Sequence, residues 1–178
     1  MTEYRLAAML RITVKEARAL IQDYFKAMPA IGKTMTYLGR YGMKNGFIKT
    51  IAPFFRKRWF PDWHERKKYL DEHLAGIRPD RFLGEIDKAS KNQPIQGSSA
   101  DITKLAVCMV MWELDNTKLY DDIKLVLQVH DQLDTVCRNE VAEIWKPRLT
   151  EIMEEAAKVV IPSGLLKAET NITNVWSK

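Results

Sequence analysis

The chain has 178 residues, 46% of them hydrophobic, and a formal net charge of +5. That is enough apolar content to bury a core, with a mild positive excess that suits contact with polyanions. Two cysteines exclude a disulfide scaffold or a cysteine zinc knuckle; Cys108 and Cys137 sit on apolar stretches and read as reduced core thiols. No apolar run approaches the roughly 20 residues that cross a bilayer, and no signal-peptide core opens the chain, so no membrane role and a cytoplasmic location are expected.

In chain order, Thr13 with Glu16 forms a capping box, and Ala17, Leu20, Ile21, Tyr24, Phe25 and Met28 share one helical face before Pro29 stops the helix. A second helix is expected over residues 30–43, with Ile31, Met35 and Leu38 inward, until Asn45-Gly46 turns the chain. Both apolar stripes read as core.

Residues 53–79 are irregular. There Arg56, Lys57, Arg58, Arg66, Lys67 and Lys68 interleave with Trp59, Phe60, Trp63 and Tyr69. Such a mixture holds phosphates and stacks on exposed bases, or else it is a solvated basic loop with its aromatics packed inward. His64 and His73 have no Cys or His at ligand spacing and read as ordinary polar residues.

One long or kinked helix is expected over residues 85–114, with Ile102, Leu105, Ala106, Met109 and Trp112 at helical spacing. Inside it lies Asn92-Gln-Pro-Ile-Gln-Gly-Ser-Ser-Ala-Asp101. Ser98 with Asp101 three residues on looks like a capping-box start. Asn92 and Gln96 are amides four apart; if the helical turn extends back through Pro94 they share a face and can donate and accept toward base edges. In the minor groove acceptors occur on every base pair, so such contacts test pair shape without reading sequence. The plainer reading is two surface amides near a helix cap.

Next come two period-2 runs that meet at His130-Asp131: Ile123, Leu125, Leu127 and Val129 before the pair, Leu133, Thr135 and Cys137 after it. They predict a β-hairpin over residues 123–138. Its tip would hold a carboxylate beside an imidazole on a rigid support, which suits a metal ligand. Ordinary turn chemistry, in which Asp bonds the backbone two residues on, explains the same dipeptide. A last amphipathic helix starts near Asn139 with Val141, Ile144, Trp145, Leu149, Ile152, Met153 and Ala156 inward, kinked or truly started at Pro147; Pro162 and Gly164 then introduce a closing strand. The fold class is α+β: helices packed on part of an antiparallel sheet.

Taken together, Asn92-x-Pro-Ile-Gln-Gly-Ser-x-Ala-Asp101 followed by Gln128-Val-His-Asp131 resembles the C-terminal part of a family A DNA polymerase, the group of bacterial DNA polymerase I and several phage replicases. Met1-Thr-Glu-Tyr-Arg-Leu-Ala, Thr13-Val-Lys-Glu-Ala17 and Tyr24-Phe25-x-x-Met28-Pro29 are similar to that family's distal fingers helices. Leu166-Lys-Ala-Glu169 and Asn174-Val-Trp176 are similar to its closing strand. The resemblance implies distal fingers helices with a basic, aromatic connection over residues 1–86 and the C-terminal half of the palm, with motif C, over residues 87–178.

It further implies that Asp131 binds a catalytic Mg²⁺, that His130 contacts the primer-terminal backbone, and that Asn92 and Gln96 touch the minor groove. Lys88 stands where the family often has a groove-contacting Arg, keeping the charge and losing the planar fork. From the charge clustering, and not from the resemblance, Arg56, Lys57 and Arg58 are expected to hold DNA phosphates. Gln132 replaces the second acidic residue of motif C; it can still bond a metal-bound water while removing one negative charge. The family's motif A Asp and its motif B triphosphate ligands have no counterpart here, and the chain begins where the family's Tyr-Gly-Met would end.

A distal piece of a split or phage-type polymerase is therefore expected. It would work on primer-template DNA and dNTP in complex with an N-terminal fragment, in a bacterial or phage-infected cytoplasm. Two metal ions roughly 3.5–4 Å apart need bridging ligands that one hairpin Asp cannot supply, so the chain alone is expected to be inactive. It is also expected to expose apolar surface and self-associate. Two alternatives are a non-catalytic, polymerase-derived DNA-binding subunit, whose DNA binding would ignore Mg²⁺, and a helical interaction module that binds no DNA.

Overall fold

The computed structural model describes residues 2–61, 63–65, 67–68 and 81–175. Arg66, Tyr69, His73 and Trp176, named above, lie outside them. The fold is α+β, mostly helical, with two antiparallel two-stranded sheets. Its contacts form two compact units: Met1–Ile48 with Trp59–Lys91, and Lys49–Arg58 with Asn92–Lys178.

In the first unit, α1 (Glu3–Leu10) is capped by Thr2 and ends at left-handed Arg11. Helix α2 (Val14–Ala27) carries the expected box: Glu16 N donates to Thr13 Oγ1 at 3.2 Å, and Thr13 N donates to Glu16 Oε2 at 2.8 Å. Those bonds to Thr13 hold the Glu16 carboxyl below its ordinary pKa. The expected α2 stripe is only partly buried: Ala17 is inside, while Leu20, Tyr24, Phe25 and Met28 are exposed. The reason is that α2 pairs with α1 through its N-terminal half, where Arg18 bridges to Glu3 at 3.2 Å.

Pro29 ends α2 and opens α3 (Pro29–Asn45), a position where its missing N–H costs nothing. Ile31, expected inward, is also exposed. The inner face is made instead by glycines, because Gly39 and Gly42 are buried against Asp87 and Ser90 and a side chain at either would overlap them. Gly46 closes α3 at φ 74°, with Trp63 packed on its bare Cα and Trp63 Nε1 donating to Met43 O at 2.9 Å. Strands β1 (Phe47–Lys49) and β2 (Lys57–Trp59) follow.

Helix α4 (Arg81–Thr117) runs unbroken through Pro94. Ser98 and Asp101 are thus mid-helix, not a cap: both are buried, with uses described below. In the second unit α4 buries Ala106, Val110 and Leu114, while Trp112, part of the same apolar spacing, is 67% exposed, and Cys108, read as a core thiol, faces solvent. Strands β3 (Ile123–Val129) and β4 (Gln132–Cys137) form the expected hairpin. It pairs Ile123 with Cys137 and Val129 with Gln132 and has a bulge between Leu125 and Leu127. The bulge breaks the alternation, which is why Leu127 is exposed.

Helix α5 (Asn139–Val160) starts where expected and continues through Pro147, burying Trp145, Leu149, Ile152 and Ala156; Ile144, one residue off that face, is 75% exposed. These join Ile123 and Leu133 of the hairpin and the buried α4 residues in one core. Residues 161–175 form no strand. Helix α5 captures them instead: Lys167 Nζ bonds Glu154 at 3.0 Å, and Thr150 and Thr170 hydroxyls meet at 2.7 Å. Cys137 is half-buried, and burial pushes its thiol pKa up. Among the described residues no helix is long and apolar enough to cross a membrane.

Candidate nucleic-acid and metal site

The hairpin tip is built outward from the core. Ile123 anchors its base and Leu133 its turn end in the core, and Trp145 Nε1 donates to Thr135 Oγ1 at 3.0 Å, fixing β4 on α5. Because Val129 pairs with Gln132, only His130 and Asp131 are left to make the turn. His130 adopts φ 54°, a left-handed conformation that costs a non-glycine residue roughly 1–2 kcal/mol and that a two-residue hairpin demands. Both side chains are exposed, and the Asp131 carboxylate has no partner among the described residues. It therefore makes none of the local bonds by which a turn aspartate stabilises its own backbone. A free carboxylate on a core-anchored strand pair is a suitable oxygen ligand for a hard cation.

Next to it, Gln132 Nε2 donates to Asp134 Oδ1 at 2.7 Å. Positions two apart on a strand face the same way, so the amide at 132 meets a carboxylate at 134 without charge repulsion. Among the described residues no three His, Cys, Asp or Glu side chains gather at metal-binding distance. The tip offers a single carboxylate of the kind a hard cation such as Mg²⁺ takes, and would hold one only together with ligands from outside the described residues.

Lys88, Asn92 and Gln96 recur every four residues along α4, which puts them on one stripe of that helix. All three are exposed, and their side chains carry no hydrogen bond or ion pair among the described residues. The motif residues that follow do different work. Gly97 lets the segment Lys49–Arg58 approach α4, since a Cβ there would lie 2.7 Å from Thr50 Cγ2. Ser98 Oγ accepts from Ile51 N at 2.9 Å. Asp101 accepts from Arg56 Nε at 2.8 Å, while Arg56 Nη2 donates to Gly97 O at 3.3 Å.

Arg56 is thus half spent on clamping its own segment to α4. Arg58 Nη1 reaches Gln93 at 3.2 Å, and Lys57 and Arg58 lie on the fully exposed β2. Sequence reading missed Gly97, Ser98 and Asp101 as a docking cradle. The signal was present: a small-small-polar run inside a continuing helix marks a close approach rather than a start.

The hairpin, the amide stripe and the cradle occur in the order that the sequence motifs require, and the DNA polymerase family A model matches residues 1–178. The chain belongs to DNA polymerase family A. It is 32% identical to DNA polymerase I of Lactococcus lactis subsp. cremoris over 175 residues, 98% of this chain and 18% of that protein. The thermostable DNA polymerase I of Thermus aquaticus is 28% identical over 99% of this chain and 19% of its own length. This family A chain thus spans about a fifth of the length of these curated relatives. Among solved structures, the POL domain of M. smegmatis Pol1, in complex with DNA primer-template and dNTP, is similar with a TM-score of 0.70. It is 26% identical, covering 87% of this chain and 24% of that one.

Proposed function

We propose that this chain provides the distal fingers, residues 1–86, and the motif C half of the palm, residues 87–178, of a DNA-directed DNA polymerase. The observation that carries the reading is the exposed, unpartnered Asp131 carboxylate on a hairpin rooted in the core. Asp131 holds Mg²⁺ together with ligands from an N-terminal polymerase polypeptide that carries motifs A and B. When bound, the metal pair lowers the pKa of the primer 3′-hydroxyl and stabilises charge on the transferred phosphoryl group.

The chain's own residues position the substrates. His130, pinned in a left-handed turn, presents its imidazole to the primer-terminal backbone. Gln132 stands beside Asp131 with its amide nitrogen donating to Asp134, and its neutral amide would lend the metal site hydrogen bonding without charge. Asn92 and Gln96 reach the minor groove near the primer end and Lys88 the adjacent phosphates, since their side chains stand free on one α4 stripe. Arg58 and Lys57 meet DNA phosphates from the exposed strand that Arg56 clamps in place. dNTP is selected in the assembled complex, through ligands that the partner polypeptide contributes.

The test is primer extension by this chain co-expressed with a polypeptide carrying motifs A and B. The pair extends a primer with dNTP and Mg²⁺, each component alone does not, and Asp131→Ala abolishes extension while leaving primer-template binding intact. Undiminished extension by the Asp131→Ala complex would remove the metal assignment. DNA binding that ignores Mg²⁺, with no extension by any pairing, would favour a non-catalytic DNA-binding subunit.

A further inference from the structure

Between α2 and α3 lies an open hollow of about 510 Å³. Its floor asks for no polar partner, since Phe25 and Pro29 are apolar, Gly32 has no side chain, and Thr36 donates its hydroxyl to Gly32 O at 2.9 Å. Gly32 also leaves the edge of the Phe25 ring uncovered, because a Cβ there would come within 3.2 Å of Phe25 Cδ1. Tyr37, 62% exposed, makes one wall. On the α2 side the apolar surface continues past Phe25: its ring meets Tyr24 edge-on at 5.4 Å, and Leu20 and Met28, each four residues from Tyr24, are half-exposed.

The α3 rim is cationic. Lys33 and Arg40 line the hollow two turns apart, roughly 10 Å along the helix axis. Both are exposed, and neither has an ion pair or hydrogen bond among the described residues. Helix α3 itself contains no Asp or Glu that could neutralise them. It lies inside a run, residues 24–61, that holds eight Lys or Arg and no acid.

An exposed apolar patch with a charged rim suits a protein partner. A phosphate backbone would find cations on the α3 side only, and would meet Leu20, Tyr24 and Met28 on the other. An amphipathic helix matches both sides: its positions i and i+7 stand about as far apart as Lys33 and Arg40, with i+3 and i+4 on the same face between them. We propose that the α2–α3 hollow docks an acidic amphipathic helix of a partner protein. Carboxylates at i and i+7 pair with Lys33 and Arg40, and apolar side chains at i+3 and i+4 enter over Gly32 against Phe25 and Tyr37. The surface uses none of the residues assigned to the metal or to DNA, so it stands or fails apart from the polymerase reading.

The experiment is fluorescence anisotropy of a labelled, stapled helical peptide of roughly three turns, titrated with the full chain. The peptide carries Glu at i and i+7 and Leu and Phe at i+3 and i+4. The parent chain binds it with a Kd below about 1 mM, and binds a version with Lys in place of both Glu about tenfold more weakly. Lys33→Gln with Arg40→Gln abolishes that preference, so that the two peptides bind alike. Lys104→Gln with Lys158→Gln removes as much charge elsewhere and preserves it. Gly32→Leu fills the hollow and weakens binding of the Glu peptide about tenfold while the chain keeps its cooperative circular dichroism melt, since Leu is the better helix residue. Tyr37→Ala, at an exposed position, weakens it as well. The proposal is overturned by a Glu peptide that does not saturate the chain, by a Lys peptide that binds as tightly, or by Gly32→Leu and Tyr37→Ala variants that both bind like the parent. It is also overturned if oligo(dT) displaces the peptide at a lower concentration than the unlabelled peptide does, which would give the hollow to nucleic acid.

Discussion

Arg148 on α5 grips Glu113 on α4 through two parallel hydrogen bonds, Nε to Oε1 at 2.9 Å and Nη2 to Oε2 at 3.0 Å. Glu151 and Glu155 add ion pairs to the same guanidinium at 3.2 and 3.5 Å. The hydrogen bonds from Arg148 hold the Glu113 carboxyl below its ordinary pKa, and burial opposes them without cancelling them. A carboxyl depressed in the folded state stabilises the fold at any pH above its unfolded value, and the contribution is lost as pH falls through the folded value. Glu113→Gln should therefore lower Tm at pH 7 by on the order of 3–6 °C, corresponding to about 1–2 kcal/mol for a charge-assisted pair whose Arg is partly in water. The difference between variant and parent should shrink as the pH falls below the ordinary glutamate range, measured by circular dichroism melts across pH.

Gly42 and Ser90 define the α3–α4 approach in the first unit, and the Ser90 hydroxyl is buried there with no hydrogen-bond partner among the described residues. A Cβ on residue 42 would lie 2.8 Å from Ser90 Cβ. Gly42→Ala should cost about 2–3 kcal/mol, and Ser90→Gly in the same chain should recover most of it by returning the volume. Ser90→Ala alone should be neutral or stabilise by up to about 1 kcal/mol, because it deletes a desolvated, unbonded hydroxyl. Urea denaturation of the parent, these three variants and Ser90→Gly alone checks the cycle; equal losses for Gly42→Ala with and without Ser90→Gly would refute the contact.

Local pattern carried the parts of this fold that depend on one segment. The capping box at Thr13, the α2–α3 break at Pro29 and the hairpin turning at His130-Asp131 were legible, because each is written in residues a few positions apart. What failed depended on partners. Ser98 and Asp101 imitate a helix cap, yet they serve a segment some forty residues earlier in the chain, as the Arg56–Asp101 and Ile51–Ser98 bonds show. Trp112 and Ile144 sit on apolar stripes wider than the core they adjoin, so periodicity alone could not say which edge would be left in water. The closing strand had strand-like residues but needed a ladder, and α5 holds that stretch by its carboxylates and hydroxyls instead. At the candidate site the sequence supplied Asp131, and the structure added that its carboxylate is not consumed by the turn.

Gln132 and Asp134 should behave as a matched pair. Gln132→Glu would set two carboxylates at hydrogen-bond distance on one strand face, where an amide now donates to a carboxylate. The variant should lose about 1 kcal/mol at pH 7, because like charges in contact disfavour ionisation, and regain it as the pH falls and one carboxyl takes a proton. Gln132→Glu with Asp134→Asn reverses the donor and acceptor and should melt within about 1 °C of the parent. A double variant as unstable as the single one would show that the bond between the two side chains does not matter.

The turn stores a conflict between stability and use. His130 holds a left-handed φ that glycine adopts freely, and its exposed ring has no bond among the described residues to repay the strain. His130→Gly should relieve that strain, partly offset by the greater freedom glycine gains in the unfolded chain, for a net stabilisation of about 0.5–1 kcal/mol and a Tm higher by on the order of 1–3 °C. Removing the ring removes the contact assigned to the primer backbone, so extension by the assembled polymerase should fall at least tenfold while the fold becomes more stable. Thermal melts of this chain and primer-extension rates of the complex measure the two sides. A variant that gains stability and keeps its extension rate would mean that the histidine is there for the turn alone, and a variant that loses stability would mean that the imidazole makes a folded-state contact that offsets its strained backbone.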